Sequence, residues 1–239
     1  MTSRFRRHKL QHEAKQAAEQ AARTGQVSGP VADSLHLQLL ALEQDQKRLR
    51  ALDRTADRVV LKRDELLPKY RPFVEHYLDA GEAHPNPLFA TLVIWLFDVG
   101  DFETGLDWAE IAIAQGQQTP DHIKRDFPHF VADTVLEWAD LEAERGNAVE
   151  PWFGRVFKQV RQDWRLNEQL TAKWFKAAGL LKLRDEGGKP ATSAISDPAA
   201  LEAADQLLEQ AEQFHAAIGV KTLRQRIAMR LRALEMGKE

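Results

Sequence analysis

The sequence predicts an all-α protein. Apolar residues recur at threes and fours along almost the whole chain, helix-capping residues punctuate those runs, and alternating β-branched runs of strand length are missing. The expected architecture is a helical bundle with a long central coiled-coil-like helix, helix hairpins that resemble tetratricopeptide repeats, and a flexible basic N-terminal helix. Three segments follow from the breaks in the pattern: a basic arm with its linker (1–30), a central helical core suited to self-association (31–184) and a C-terminal helical hairpin (185–239).

Residues 4–23 form a polar, Ala-rich helix pattern without a wide apolar face, so packing adds little and the arm would order on a partner. GQVSGP at 25–30 reads as a flexible joint. Over 34–66, Leu35, Leu39, Leu42, Gln46, Leu49, Leu52, Ala56, Val59, Arg63 and Leu66 trace a narrow seam. On one unbroken helix this seam would run roughly 50 Å at ~1.5 Å per residue. Gln46 and Arg63 interrupt it, and the spacing slips between Leu49 and Ala56. Packing within the chain and pairing between subunits both fit, with Leu35, Leu39, Leu42, Leu49 and Leu52 as the pairing candidates.

Pro68 is expected to close that helix, and Pro72 to open a shorter one carrying Phe73, Val74, Tyr77 and Leu78. The run 88–99 is apolar nearly all round and stops at Gly100, after which Asp101 caps a helix reaching about Gln115. Pro128 and Pro151 open two more helices, and Asn167 caps another that contains Leu170, Trp174 and Leu181. All six Trp lie between Trp95 and Trp174, which centres the core in the middle of the chain. DEGGKPATSAIS at 185–196 is a loop. Asp197 and Pro198 restart a helix, Gly219 ends it, and a last basic helix carries Lys221, Arg224, Arg226, Arg230 and Arg232.

Composition narrows the function classes. With 44% hydrophobic and 29% charged residues the chain is ordinary for a globular protein, and the absence of Cys excludes disulfides, thiolate metal sites and Cys nucleophiles. The longest apolar run, 87–97, is far short of the ~20 residues needed to span a bilayer. No apolar stretch follows Arg4, Arg6, Arg7 and Lys9, so no secretory signal is expected and the location implied is the cytoplasm. The net charge of −3 is unevenly distributed: residues 1–24 carry six Lys/Arg against two Glu, and residues 44–73 carry nine against five Asp/Glu, which leaves the remainder at −11. That asymmetry suits a protein with one polyanion-facing end. Lys47, Arg50, Arg54, Arg58 and Lys62 would form one phosphate-tracking stripe on the long helix, with Glu43, Asp53, Asp57 and Asp64 near enough to neutralise part of it.

Motifs for catalysis are weak. Leu92, Gly100, Asp101, Phe102, Leu106 and Ala112 resemble half of a tetratricopeptide repeat, but Val93 stands where that family usually has Gly and no second copy follows. His8 and His12 have a metal-ligand spacing without a third ligand. Asp64, Glu65 and Lys69 read as salt-bridged surface more readily than as a nuclease cluster, and His122, Lys124, Arg125, Asp126 and His129 gather around a turn. There is no phosphate-binding Gly-rich loop. No catalytic residue, metal or cofactor is expected.

Three segments together resemble the small terminase subunit family of peduovirus-type temperate phages: MTSRFRRHKL at 1–10, RDELLPKYRPFVEHYL at 63–78, and LVIWLFDVGDFETGLDWAEIAIAQGQQTP at 92–120. In the last, Trp95, Asp98, Gly100, Asp101, Ala109 and Pro120 fall in matching places, and a fainter likeness continues around AAIGVKTLRQRI from Ala216. The resemblance implies recruitment of concatemeric, cos-type double-stranded phage DNA in the host bacterial cytoplasm, assembly into a homo-oligomeric ring, and delivery to a separate large subunit that hydrolyses ATP and cuts. Some members are labelled the endonuclease subunit. Members can also carry a long Lys/Pro-rich tail, which does not follow the last basic helix here, so the segment meeting the large subunit stays unassigned. The DNA-binding candidates are Arg4, Arg6, Arg7, Lys9, Lys47, Arg50, Arg54 and Arg58. The alternatives are a repeat-like scaffold that binds only protein and a metal-dependent endonuclease with an unrecognised site.

Overall fold

The computed structural model describes residues 34–81, 83–185 and 187–237. Among these the chain is helical throughout, apart from loops and one isolated bridge between Arg184 and Pro190. It divides into two compact units, the first ending at Lys124 and the second beginning at Arg125, a division inside the expected 31–184 core. No helix of the described residues is long and apolar enough to cross a membrane.

The first unit is built around α4, and its chain order is α1 (Leu35–Arg50), α2 (Thr55–Leu61), a π-helical turn (Lys62–Leu66), α3 (Leu67–Asp79), α4 (Pro87–Asp98) and α5 (Phe102–Ala114). Every residue from Leu88 to Phe97 is buried, as the all-round apolar pattern requires of a helix covered on all sides. α1, α3 and α5 pack on it. Asn86 starts it by accepting the Phe89 N–H at 3.0 Å. It ends in a Schellman turn, where Gly100 takes φ +81° and the Asp101 N–H reaches back to the Leu96 carbonyl at 2.9 Å. Asp101 then caps α5 through the Thr104 N–H at 3.2 Å, as its position predicted. Gly105, Ala109 and Ala112 are buried small residues at the α4–α5 contact. This is the close hairpin that resembles half of a repeat.

The long unbroken helix is corrected by the structure. The chain leaves α1 after Arg50, runs irregularly through 51–54, and re-enters helix at Thr55. Along one straight helix the 25 residues from Asp45 to Tyr70 would separate them by about 38 Å, whereas the Tyr70 hydroxyl donates to the Asp45 carboxylate at 2.8 Å. The bend lets both α1 and α3 bury their apolar faces on α4. A further correction concerns the prolines. Pro68 does not close a helix and Pro72 does not open one, because the helix continues through both to Asp79. In the π turn before Pro68 the Leu67 N–H bonds the Lys62 carbonyl, five residues back. That wider turn accommodates a ring which would clash in a regular α-helix.

The second unit contains α6 (Phe127–Glu144), α7 (Trp152–Gln162), α8 (Glu168–Leu181), a 3₁₀ turn (Thr192–Ala194), α9 (Pro198–Phe214) and α10 (Lys221–Met236). Asp126, Asn167 and Asp197 cap α6, α8 and α9 with their side chains. α8 and α9 pack closely, because at Gly179 even an added Cβ would come within 2.9 Å of the Leu208 side chain. Trp174 is fully buried, with Phe153 and Phe157 rings 4.9 and 6.2 Å from its own. A second apolar cluster of Leu183, Leu201, Ala204, Leu208, Val220 and Ile227 fixes the α9–α10 hairpin, so burial of large side chains is not confined to the Trp-bearing middle.

Candidate nucleic-acid interface

Arg4, Arg6, Arg7 and Lys9 lie outside the described residues, as do His8 and His12. The second set of cations sits at the bend. Lys47 is exposed on the last turns of α1 and lies 3.4 Å from Glu43. Arg50 ends α1 and Arg54 precedes α2; both are exposed, and neither makes an ion pair among the described residues. Arg58 is half-buried, and its Nε and Nη2 donate to the Leu52 carbonyl at 2.9 and 2.6 Å, which fastens the bend. Lys62 pairs with Asp98 at 2.6 Å with its side chain only 16% exposed. The five residues therefore do not make one stripe: the bend divides them, and Arg58 and Lys62 hold the fold itself.

Asp45 organises the same region, and its role was not read from the sequence. Its carboxylate is buried and receives Lys69 at 2.6 Å, the Tyr70 hydroxyl at 2.8 Å and Arg48 at 2.9 Å. Burial pushes this carboxyl up, but the hydrogen bonds from Lys69, Tyr70 and Arg48 outweigh it and hold the group below the ordinary carboxylate range. The Tyr70 hydroxyl is pushed well above its ordinary value, by burial first and by Asp45 second. A signal existed: Asp45, like Gln46, stands in the three-four register of Leu42 and Leu49. A carboxylate on an apolar seam needs partners, and the basic run 62–71 supplies them.

Leu42 and Leu49 are 4% and 7% exposed, covered by the chain itself. Leu35, Leu39 and Leu52 are half-buried. Asp64, Glu65 and Lys69 do not converge, since they pair with Arg63, Arg48 and Asp45 in turn. The polar residues around 122–129 are divided between the units. Within the second, the His129 ring links two helix starts: Nδ1 lies 2.7 Å from the Asp126 carboxylate, and Nε2 accepts the Asn167 N–H at 3.1 Å. Among the described residues no three His, Asp or Glu side chains are placed to hold a metal ion.

The chemistry available at the bend is charge recognition: exposed guanidinium groups on a short irregular segment, beside a rigid buried network. Residues 39–169 match the phage small terminase subunit family, a span that includes the bend, the α4–α5 hairpin and the second unit as far as the start of α8. The chain is 42% identical over 195 residues to the "Probable terminase, endonuclease subunit" of Haemophilus phage HP1, which covers 82% of this chain and 69% of that one. It is 27% identical over 189 residues to the "Terminase, endonuclease subunit" of Escherichia phage P2, covering 78% of this chain and 73% of the relative. No solved structure matches. A family match across more than half the chain, together with that first relative, means that the chain belongs to the phage small terminase subunit family.

Proposed function

We propose that this protein binds double-stranded phage DNA as a self-associated assembly in the host cytoplasm and presents it to the large terminase subunit for cleavage and packaging. Membership of the small terminase subunit family is the observation that carries this reading. The charge distribution supports it, because a chain of net charge −3 concentrates positive charge in residues 1–24 and 44–73. The N-terminal arm, with Arg4, Arg6, Arg7 and Lys9, provides the main contact, and Arg50 and Arg54, with Lys47, the second. In a ring the arms would repeat around one rim, so many weak contacts add through effective concentration.

Each phosphate neutralised steepens the fall of log affinity with log salt by ~0.9. Removal of residues 2–12 should flatten that slope markedly while leaving the folded core intact, as read by fluorescence anisotropy on duplex DNA across a salt series and by circular dichroism. A truncated protein with unchanged affinity and slope would exclude the arm. Absence of DNA binding by the full chain would favour the protein-binding scaffold. The names of both relatives favour a second reading, in which the chain itself cuts. Magnesium-dependent nicking of duplex DNA by the purified chain tests it, and intact DNA after prolonged incubation would reject it.

A further inference from the structure

The last helix carries two kinds of cation, sorted by face. On its inner side Arg224 bonds Asp205, Glu209 and Glu212 of α9 at 2.9 to 3.1 Å and Arg230 donates to the Ile195 carbonyl at 2.9 Å, while the exposed Lys221 at its start lies 3.8 Å from Glu212. On its outer side Arg226 and Arg232 are exposed and make no ion pair among the described residues. Between them lie Met229 and Met236, which are 66% and 73% exposed, the most open of the large apolar side chains among the described residues. At 3.6 residues per turn these four residues share a stripe about 120° wide, with the methionines along its middle and the arginines at its edges. No described residue of the second unit covers the two methionines of that stripe.

α6 presents the opposite surface. Glu137, Asp140 and Glu144 recur at threes and fours on its exposed side and form no ion pair among the described residues, and Leu141 beside them is 49% exposed. Glu137 and Asp140 border a groove of about 620 Å³ whose apolar lining includes Leu136, Ala177 and Leu180, and Glu144 follows one turn beyond Asp140 on the same helix. Of the cations lining it, Arg125 pairs with Asp133 and Lys176 donates to the Ile218 carbonyl, which leaves Lys173 against the two lining carboxylates Glu137 and Asp140. Burial at the groove wall pushes the Asp140 carboxyl above its ordinary value and Glu144 adds to this, while Arg184, Lys176 and Lys173 oppose it.

We infer that the outer face of α10 in one copy of this chain docks on the acidic groove of α6 in the next copy, with the exposed methionines over the apolar lining and Arg226 and Arg232 on the α6 carboxylates. The spacing agrees: Arg226 and Arg232 are about 9 Å apart along their helix, and Glu137 and Glu144 about 10.5 Å along theirs. The two patches are different surfaces of one chain, so the contact is heterologous and adds copies head to tail, which closes a ring or extends a filament. A nucleic acid is the poorer occupant, because two cations flanking a thioether stripe make a weak phosphate track and the methionines would stay wet. This inference rests on the self-association in the proposed function and assigns it a surface.

Two variants of the full chain test it, Arg226→Glu with Arg232→Glu, and Glu137→Lys with Glu144→Lys, each checked for fold by circular dichroism and measured by light scattering at tens of micromolar. Each alone places like charges across the contact and should weaken association at least tenfold. An equimolar mixture should reassemble, because each reversed face then meets a complementary one and the two native faces meet each other. Variants that assemble like the wild type would overturn the assigned surfaces while leaving self-association standing. Loss of assembly in only one of them, or a mixture that stays dissociated, would overturn the pairing. A wild-type chain that is monomeric under these conditions would overturn both the inference and the self-association it rests on.

Discussion

The stretch 44–73 and the last helix, α10, are both rich in Lys and Arg, and the fold uses them differently. In 44–73 the cations are fasteners between segments distant in sequence: Arg48 of α1 reaches Glu65 beyond the bend at 2.8 Å, Lys69 of α3 reaches back to Asp45 of α1, Lys62 reaches Asp98, and Arg71 reaches Asp101 at 3.2 Å. In α10 the division is by face, with Arg224 in a triple carboxylate clasp and Arg226 and Arg232 left to solvent. A count of positive charge therefore overstates the charge available to a polyanion. The first region offers mainly Arg50 and Arg54, and the second offers two arginines separated by methionine.

The largest effect on stability should come from the buried carboxylate. Asp45→Ala strands the fully buried Tyr70 hydroxyl, leaves Lys69 without its acceptor and leaves Arg48 with Glu65 alone, at a cost of about 2–3 kcal/mol in urea unfolding. The sign of its pH dependence follows from the lowered carboxyl. The unfolded group titrates near its ordinary ~3.9, so the stabilisation is complete above that value and is lost as pH falls through the lower folded value. The gap between wild type and variant should be constant near neutrality and narrow in acid below about pH 4. A gap that widened in acid would mean that Asp45 is not held ionised by these partners.

Arg224→Ala comes next, at about 1–2 kcal/mol, because three carboxylates of α9 lose one shared counter-charge while solvent screens part of the effect. High salt should shrink the difference, since the remaining acids repel one another less when screened. Arg58→Ala should cost about 1 kcal/mol through the two bonds to the Leu52 carbonyl. Faster amide exchange confined to the bend would accompany it. Protection there equal to that of the wild type would show that the bend is held by burial alone.

Much of the fold was legible because its signals are local. Asp101, Asn167 and Asp197 cap the helices they were expected to cap, and the 88–99 run forms the central helix of its unit. What escaped was decided at a distance. Nothing in ALDR at 51–54 breaks a helix by propensity; the bend exists because Asp45 and Tyr70, 25 residues apart, satisfy each other in the interior. Pro68 and Pro72 are strong breakers locally, and the π turn that accommodates Pro68 has no sequence signature. For the interface the residue types were legible and their availability was not. Lys62 and Arg58 look like Arg50 and Arg54 in sequence, and only the packed chain separates those that hold the bend from those that face solvent.

The smallest effect on stability, and the most informative for function, is expected of Arg50→Ala with Arg54→Ala. Both side chains are exposed and make no ion pair among the described residues, so the unfolding midpoint should not move. If they are the second contact with DNA, the slope of log affinity against log salt should fall by up to about 1.8, the value for two phosphates. Lys62→Ala is the matching control, because its ammonium is already 2.6 Å from Asp98. It should leave the slope as it is and lower stability slightly. The reverse pattern, with a flattened slope for Lys62→Ala and none for the arginine pair, would mean that DNA opens the Lys62 pair, and that the bend is remodelled on binding instead of serving as a rigid support.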